Sequence, residues 1–370
     1  MEKIKVLTVF GTRPEAIKMA PLVKELEKNS DIFESVVCVT AQHRQMLDQV
    51  LELFDIKADY DLDIMKTNQD LWTLTCDVIL KTKEVFESVK PDIVLVHGDT
   101  TTSMAAGLSA FYAKIPVGHV EAGLRTFDKY YPFPEEINRV FADAVSTYHF
   151  APTDTSCENL IKSQIPKDHI YKTGNTVIDA LLYTVNNHTA EIEGLNLDKN
   201  LKTILLTSHR RENFGEPIKQ ICRAILELVE KNKDIQVVYP VHLNPNVQKP
   251  VYELLEGKER IHLIKPLDYA PFASLMKKSY IILTDSGGVQ EEAPSLGKPV
   301  LVLRDTTERP EAIDYGTVKL VGTDKEKIIS ETQKLLDSQE EYSKMSEAIN
   351  PYGDGKACSR IVEILKTIKK

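Results

Sequence analysis

Three acidic residues in the first half of the chain stand where carboxylates could carry out acid-base chemistry. Asp99 follows the apolar run 93–96, Glu121 follows a short apolar run and has small residues on both sides, and Glu135 stands at a proline-defined helix start. A positioned carboxylate can take or give a proton during a reaction. Two of the three also have a structural alternative, because Asp99 can cap the next helix and Glu135 can favour the helix dipole.

Basic residues gather in the segment 11–18, directly after the first predicted strand. Thr12 and Glu15 have the spacing of a capping box, so the backbone N–H groups at this helix start are expected to face outward, which suits an anion. Arg13 and Lys18 add two cations there and form a candidate phosphate clamp. The alternative is a well-capped helix with exposed basic residues.

A second group of basic residues follows the first strand predicted in the second half. His209, Arg210 and Arg211 are concentrated there, although the protein as a whole carries a net charge of -9. They suit an anionic ligand, and the alternative is that carboxylates of the protein pair with them. His242 follows the next predicted strand, in a position where a histidine is more often a satisfied polar residue than a catalyst.

The strongest single signal is the run Asp285-Ser286-Gly287-Gly288, which leads from an apolar strand into a helix. Glycines let a backbone close on a phosphate, and a helix N-terminus supplies N–H donors. Glu292 is placed to accept hydrogen bonds from vicinal ribose hydroxyls, and Arg304 and Arg309 follow the next strand, where they are placed to close the same site. A plain tight turn is the alternative.

The elements that position these residues alternate between short apolar strands and amphipathic helices, which is typical of stacked βαβ units around a parallel sheet. Ligands of such sheets lie beyond the carboxyl ends of the strands. The predicted strands are 4–10, 35–40, 92–97, 116–120, 148–151, 203–207, 236–239, 262–264, 280–284, 299–303 and 318–321. The predicted helices are 14–28, 43–54, 70–89, 101–113, 135–144, 217–231 and 326–336. The polar stretch 186–202 predicts a connector there or slightly earlier, and therefore two doubly wound domains.

Composition narrows the class of protein. The 370 residues include 46 Lys and Arg against 55 Asp and Glu, so no broad positive field favours nucleic acid or an anionic membrane. Five scattered cysteines indicate a reducing interior, and the short apolar run after the N-terminus does not suit a signal peptide, so a cytoplasmic location is expected. The chain lacks GxGxxG, GxxxxGK[ST] and HExxH motifs, which removes sequence support for nicotinamide binding, P-loop ATP hydrolysis and zincin chemistry. No metal site is predicted.

Several of these strings, taken in order, resemble the non-hydrolysing UDP-N-acetylglucosamine 2-epimerases of bacteria. The resemblance spans nearly the whole chain and rests on the segments 11–18, 97–101, 118–125, 209–212, 285–288 and 350–355. It implies two Rossmann-like domains in the GT-B arrangement, with the active site in the cleft between them, and usually a homodimer. The implied domains are residues 1–175 with a final helix at about 356–370, and residues 176–355.

The resemblance also implies roles for individual residues, and no cofactor. The carboxylates Asp99, Glu121 and Glu135 would act at the sugar, with His209 close to the diphosphate. The nucleotide sugar would be bound by Arg13, Lys18, Phe272, Ser286, Gly287, Gly288, Glu292 and Arg309. Some members bind a second UDP-GlcNAc as an activator, through residues that match Gln42, Gln45, Arg210 and His242. At the position of Asn68, those members have an arginine that contributes to the activator site.

The implied reaction interconverts UDP-GlcNAc and UDP-ManNAc, which supplies ManNAc for cell-surface polysaccharide. The hydrogen on C2 has no adjacent carbonyl to acidify it, so the expected route expels UDP from C1, removes the C2 proton to give 2-acetamidoglucal, and then re-adds both groups. Which of the three carboxylates acts on which face of the sugar stays open. The alternatives are a hydrolysing 2-epimerase that releases ManNAc and UDP, a GT-B glycosyltransferase, and a UDP-sugar sensor without turnover.

Overall fold

The computed structural model describes residues 2–41, 44–64, 69–188, 191–192 and 194–368, without the side chains of Arg44 and Gln45. The chain divides into two compact units. One runs to Leu182 and takes in the chain again from Tyr352 onward, and the other is Tyr183–Pro351. The division lies inside the helix Thr176–Asn187, between the implied boundary at residue 175 and the polar stretch 186–202.

The first unit contains a parallel sheet with the strand order β3-β2-β1-β4-β5-β6-β7 among its described residues. The strands are β1 Ile4–Phe10, β2 Phe33–Val39, β3 Tyr60–Asp61, β4 Ile93–His97, β5 Val117–Val120, β6 Tyr148–Ala151 and β7 Ile170–Lys172. The helices are α1 Arg13–Lys28, α2 Arg44–Leu53, α3 Leu71–Val89, α4 Thr101–Tyr112, α5 Glu135–Val145, α6 Asp154–Lys162 and α7 Thr176–Asn187. The central strand β4 is apolar from Ile93 to Val96 because both of its faces are buried.

The second unit repeats this plan with the strand order β10-β9-β8-β11-β12-β13 in the part of the chain that the structure describes. Its strands are β8 Lys202–Thr207, β9 Ile235–Pro240, β10 Ile261–Ile264, β11 Ile281–Thr284, β12 Val300–Val302 and β13 Val318–Leu320. Its helices are α8 Glu216–Lys231, α9 Pro245–Leu255, α10 Tyr269–Lys278, α11 Gly287–Glu292, α12 Pro310–Asp314, α13 Lys325–Asp337 and α14 Gln339–Ser346. The predicted class, two doubly wound α/β domains with parallel sheets, is confirmed.

The chain returns to the first unit through helix α15, Ala357–Leu365, which packs against α1. The buried carboxylate of Asp179 accepts hydrogen bonds from the backbone N–H groups of Ala357 (3.1 Å) and Cys358 (2.9 Å), and so caps this helix. The backbone N–H of Asn175 also donates to the carbonyl of Tyr352 at 2.7 Å. No helix among the described residues is long and apolar enough to cross a membrane.

Candidate active site

The turn after β1 is closed by the carboxylate of Glu15, which is 1% exposed. It accepts hydrogen bonds from the backbone N–H groups of Gly11 (3.1 Å) and Thr12 (2.8 Å), and from the hydroxyls of Thr100 (2.6 Å) and Ser103 (3.0 Å). Burial raises the pKa of Glu15, and these hydrogen bonds oppose the rise. The predicted capping box of Thr12 and Glu15 is confirmed, and within it the N–H groups of Gly11 and Thr12 donate to Glu15, not to a ligand.

Asp99 lies at the carboxyl end of β4 and pairs with the guanidinium of Arg139 from α5. The side chain of Asn138 donates to the backbone carbonyl of Asp99 at 3.0 Å, so α5 holds this residue at two points. The N-cap of α4 is Thr100, which accepts from the N–H of Ser103 at 3.0 Å. The capping alternative for Asp99 is therefore wrong, and its carboxylate is placed at the sheet edge next to a cation.

Glu121 follows β5 with a backbone φ of 65°, in the left-handed region that side chains other than glycine seldom adopt. Its carboxylate pairs with the ammonium of Lys18 and accepts from the side-chain amide of Asn175 at 2.9 Å. Nε2 of His97 lies 3.9 Å from the same carboxylate oxygen. Strained backbone that surrounding contacts maintain is a recurrent mark of a functional position, so Glu121 is the strongest candidate in this unit.

Glu135 and Glu136 are adjacent at the start of α5 and have different surroundings. Glu136 is buried, and its carboxylate accepts from the backbone N–H groups of Thr126 and Phe127 and from Arg139. Glu135 is half-buried and makes no hydrogen bond or ion pair with the residues that the structure describes. Glu136 therefore organises the loop before α5, and Glu135 remains available as an acid or a base.

The sequence analysis missed a buried charge network behind these carboxylates. Asp143 lies 2.6 Å from Nδ1 of His119 and 2.7 Å from the guanidinium of Arg125. Burial alone would raise the pKa of Asp143, but His119 and Arg125 hold it below its usual range. The other ring nitrogen of His119 lies 2.7 Å from the carbonyl of Gly98, next to Asp99. The network thus connects α5 and β5 to the turn that carries Asp99.

In the second unit, the fully buried carboxylate of Asp285 closes the turn after β8. One of its oxygens accepts from the backbone N–H groups of His209 (2.8 Å) and Arg210 (2.9 Å), the hydroxyl of Ser208 (2.9 Å) and the amide of Asn213 (2.9 Å). The other oxygen lies 3.1 Å from Nδ1 of His209. Burial would raise the pKa of Asp285, but the hydrogen bonds from His209 and Arg210 hold it below its usual range.

The Nδ1 side of the His209 imidazole therefore faces Asp285, and Nε2 lies on the other side of the ring. The side chain of His209 is 40% exposed, and its ring stacks on that of His242 with the centroids 5.7 Å apart. A histidine that a buried aspartate orients is able to donate or accept a proton at its second nitrogen. Sequence patterns indicated His209, but they did not identify Asp285 as the residue that orients it.

The glycines after β11 leave room for two guanidinium groups. A Cβ atom on Gly287 would lie 3.7 Å from the guanidinium of Arg210 and 3.9 Å from that of Arg309. Arg309 also pairs with Glu291, and Ser286 is the N-cap of α11. The predicted phosphate-binding turn therefore lies beside two cations, as a diphosphate site requires.

The expected ribose ligand, Glu292, is buried, and one oxygen of its carboxylate accepts a hydrogen bond from the hydroxyl of Tyr269 at 2.9 Å. Burial raises the pKa of Tyr269 well above its usual range, so this hydroxyl remains a donor. The second oxygen lies on the side of Gly288. Phe272, which is half-buried, follows Tyr269 on α10. Sequence reasoning missed Tyr269.

Arg304, which was expected to close this site, instead pairs with carboxylates of the protein. Its Nε donates to Glu212 at 2.5 Å, and its other two nitrogens donate to Glu308 at 2.7 and 3.0 Å. The side chain is almost fully buried, and these carboxylates raise its pKa further above its already high value. Of the two arginines after β12, Arg309 lies beside the glycine turn and Arg304 braces the loop that carries Glu308.

The Arg304–Glu308 pair gives a prediction about acid stability. Hydrogen bonds from Arg304 lower the pKa of Glu308 to about 2, so the stabilisation is complete above pH 4.5 and is lost as the pH falls towards 2. We expect Glu308→Gln to lower the melting temperature by roughly 2 to 4 °C at neutral pH, since the carboxylate is partly exposed and therefore screened. The difference in melting temperature between Glu308→Gln and wild type should become smaller below pH 4.5. Glu340→Gln, which removes one partner of a highly exposed ion pair, should change neither the melting temperature nor its dependence on pH. A difference between Glu308→Gln and wild type that does not depend on pH would contradict this role of the Arg304–Glu308 pair.

The remaining predicted residues are placed as follows. Arg13 is half-buried in the first turn of α1. Gln42 and Asn68 lie outside the described residues, and Gln45 lies on α2 with a side chain that is not described. Arg210 and His242, which were expected at a separate activator site, lie beside Gly287 and His209. The described residues contain no cluster of three or more His, Cys, Asp or Glu side chains suited to a metal ion.

Comparisons with known proteins place the chain in a family. The family model described as UDP-N-acetylglucosamine 2-epimerase matches residues 24–366. The UDP-N-acetylglucosamine 2-epimerase of Yersinia pestis is 57% identical over 372 residues, covering 98% of each chain. The crystal structure of the Neisseria meningitidis UDP-GlcNAc 2-epimerase bound to UDP-GlcNAc is 56% identical, with a TM-score of 0.84, and the match covers 98% of this chain and 99% of that one.

A more distant structure has a similar fold. The Methanocaldococcus jannaschii UDP-GlcNAc 2-epimerase in complex with UDP-GlcNAc and UDP is 36% identical, with a TM-score of 0.74, and the match covers 98% of this chain and 99% of that one. Identity above one half over nearly whole chains, with the same fold, leaves no other assignment. The chain belongs to the UDP-N-acetylglucosamine 2-epimerase family.

Proposed function

We propose that this protein interconverts UDP-GlcNAc and UDP-ManNAc by inverting C2 of the sugar, without hydrolysis. The observation that carries the proposal is the Glu121 carboxylate, which strained backbone, Lys18 and Asn175 together position beside the turn that carries Asp99. The bound UDP-GlcNAc named for the Neisseria and Methanocaldococcus relatives supports the same substrate.

The proposed route begins with loss of UDP, because the C2 hydrogen of the intact sugar is not acidic. Cleavage of the C1–O bond sends its electron pair out with UDP and leaves an oxocarbenium-like centre. A carboxylate then takes the C2 proton, and the C–H electron pair becomes the C1–C2 double bond of 2-acetamidoglucal. Protonation of C2 from the opposite face and return of UDP to C1 restore every atom and invert the centre. Two acid-base groups in different positions are therefore needed.

The second unit supplies most of the groups proposed for the nucleotide sugar, and Arg13 and Lys18 are the others. In the proposal, Arg210, Arg309 and the N–H groups after Ser286 face the diphosphate, and they stabilise the charge that develops as UDP leaves. His209, which lies beside Asp285, faces the same leaving group, UDP. Its Nε2 either donates a hydrogen bond to UDP or transfers a proton to it. Glu292, oriented by Tyr269, accepts from the ribose hydroxyls.

The first unit supplies the acid-base groups. Asp99, Glu121 and Glu135 are the candidates, and their surroundings differ. Asp99 pairs with Arg139, Glu121 pairs with Lys18, and Glu135 has neither an ion pair nor a hydrogen bond within the described ranges. Which of the three takes the C2 proton and which returns one on the opposite face stays open, and substitution of each carboxylate distinguishes them.

Incubation with UDP-GlcNAc in D2O tests activity and route together. We expect deuterium at C2 of both UDP-GlcNAc and UDP-ManNAc, detected by proton NMR and mass spectrometry, without an added acceptor. Product that keeps its original C2 hydrogen would exclude the elimination route. Free ManNAc with UDP would favour the hydrolysing alternative, dependence on an acceptor would favour a glycosyltransferase, and binding without turnover would favour a sensor.

Three further expectations accompany this function as proposals. The protein forms a homodimer, a second UDP-GlcNAc acts as an activator, and the product supplies ManNAc for cell-surface polysaccharide. The position of Arg210 and His242 beside His209 supports close coupling between activator binding and the diphosphate site.

A further inference from the structure

His97 is a buried histidine at the end of β4 to which the sequence analysis gave no role. It is 4% exposed, and its Nε2 has no hydrogen-bond partner among the described residues. Buried polar atoms in native proteins are nearly always paired, so an unpaired ring nitrogen needs an explanation. The neighbouring groups supply one.

The Nε2 atom of His97 points at one oxygen of the Glu121 carboxylate, Oε2, from 3.9 Å. That oxygen already accepts from the ammonium of Lys18 and from the amide of Asn175 at 2.9 Å. Three donors therefore converge on a single atom, and only the imidazole lies beyond hydrogen-bond distance. The turn at Gly98 runs beside the other oxygen, Oε1, since a Cβ on Gly98 would lie 3.5 Å from it.

The ring of His97 is neutral at any pH at which the protein would work. Burial lowers the pKa of His97 to about 3; Glu121 opposes this effect, and Lys18 and His119 reinforce it. A neutral imidazole carries one proton, and when this proton is on Nε2 that atom is a donor only. Such a ring can form a hydrogen bond to Oε2, once the two atoms approach each other, without adding a charge.

We propose that His97 is a positioning residue that donates its Nε2 proton as a hydrogen bond to Oε2 of Glu121 when Lys18 turns to the substrate. The inference rests on the proposed function and on the implied role of Lys18 as a ligand of the nucleotide sugar, whose diphosphate would attract the Lys18 ammonium. The exchange replaces a cationic partner of the carboxylate with a neutral one. Glu121 thereby becomes more basic, as removal of the C2 proton requires, and its direction is preserved.

Two matched substitutions test the geometry. In His97→Gln the side-chain amide nitrogen reaches the position of Nε2, whereas in His97→Asn it reaches only that of Nδ1. We expect His97→Asn to lower kcat by roughly 10- to 100-fold, as loss of one hydrogen bond to a charged group would, with KM within about threefold of wild type. His97→Gln should recover most of this loss.

The pH profile separates positioning from folding. Loss of a donor to the carboxylate disfavours its ionised form, so the acidic limb of kcat should move to higher pH in His97→Asn and return in His97→Gln. His149→Asn is the control, because His149 is a buried histidine of β6 whose ring nitrogens face backbone carbonyls of Asp143 and His169. It should lower the melting temperature and leave the acidic limb in place.

A double substitution shows whether the effect runs through Glu121. In a Glu121→Gln background, His97→Asn should change the residual deuterium incorporation by less than about twofold. Equal loss in the Asn and Gln variants, an unchanged kcat, or full additivity with Glu121→Gln would overturn the role of His97. Absence of epimerisation in the wild-type protein would instead refute the proposed function, so the two failures are distinguishable.

Discussion

Glu121→Gln is expected to lower the rate of epimerisation by about 10²- to 10⁴-fold, the range associated with loss of a general acid or base. The glutamine keeps the shape of the side chain and one oxygen that can accept from Lys18 and Asn175, so the site should stay assembled. UDP should bind with nearly wild-type affinity, because Glu121 is proposed to act on the sugar and is not among the predicted ligands of the nucleotide. Single-turnover deuterium incorporation at C2 and calorimetry with UDP measure the two quantities separately.

Glu136→Gln is the matched control for this prediction. Glu136 is also an acid of the first unit, but its carboxylate accepts from backbone N–H groups and from Arg139. Its replacement should lower the melting temperature by roughly 4 to 8 °C, because one buried acceptor becomes a donor that faces other donors. If Glu121→Gln weakened UDP binding as strongly as turnover, or if Glu136→Gln reduced turnover more than Glu121→Gln, Glu121 would have a structural role.

His209→Asn is expected to lower turnover by about 10²- to 10³-fold, which is typical for loss of one group that stabilises developing charge. The asparagine amide occupies the position of Nδ1 and can still interact with Asp285, so the turn after β8 should remain intact. What the substitution removes is the Nε2 atom that faces away from Asp285. Initial rates with UDP-GlcNAc, together with the melting temperature, report on chemistry and folding.

His242→Asn is the control for His209→Asn, since His242 is the other member of the stacked pair. Its Nδ1 accepts from the backbone N–H of Asn244 at 3.2 Å, and asparagine can preserve that contact. Basal turnover should change by less than about threefold if His242 does not contact the reacting atoms. Equal losses of turnover in the two variants would indicate that the reaction depends on the stacking of the two imidazole rings rather than on Nε2 of His209.

The strands and the sheet edge were predictable from sequence for a simple physical reason. Parallel strands buried on both faces are mostly apolar, and β1 and β6 begin and end at the predicted residues. Elements without that signal were not predicted, such as β3, which has only two residues, and the short edge strand β7. The same logic placed Asp99, Glu121 and His209 directly after strands.

Which of the many charged residues would be structural was not predictable, because the partners are distant in sequence. Glu15 receives a hydrogen bond from Thr100, 85 positions away, and Asp285 receives one from His209, 76 positions away. Arg304 and Arg309 share a segment and a charge, yet only Arg309 lies beside the glycine turn. No local pattern distinguishes such pairs, since packing of remote segments decides them.

The return of the chain to its first unit through α15 has a consequence for synthesis on the ribosome. The second unit is continuous in sequence, so it can complete its sheet as soon as its last residues leave the exit tunnel. The first unit begins earlier but lacks the helix that covers α1 and the N–H groups that satisfy Asp179 until the segment from Tyr352 onward emerges. The unit that is translated first therefore completes its folding last. Until α15 emerges from the ribosome, the apolar face of α1 stays accessible to chaperones.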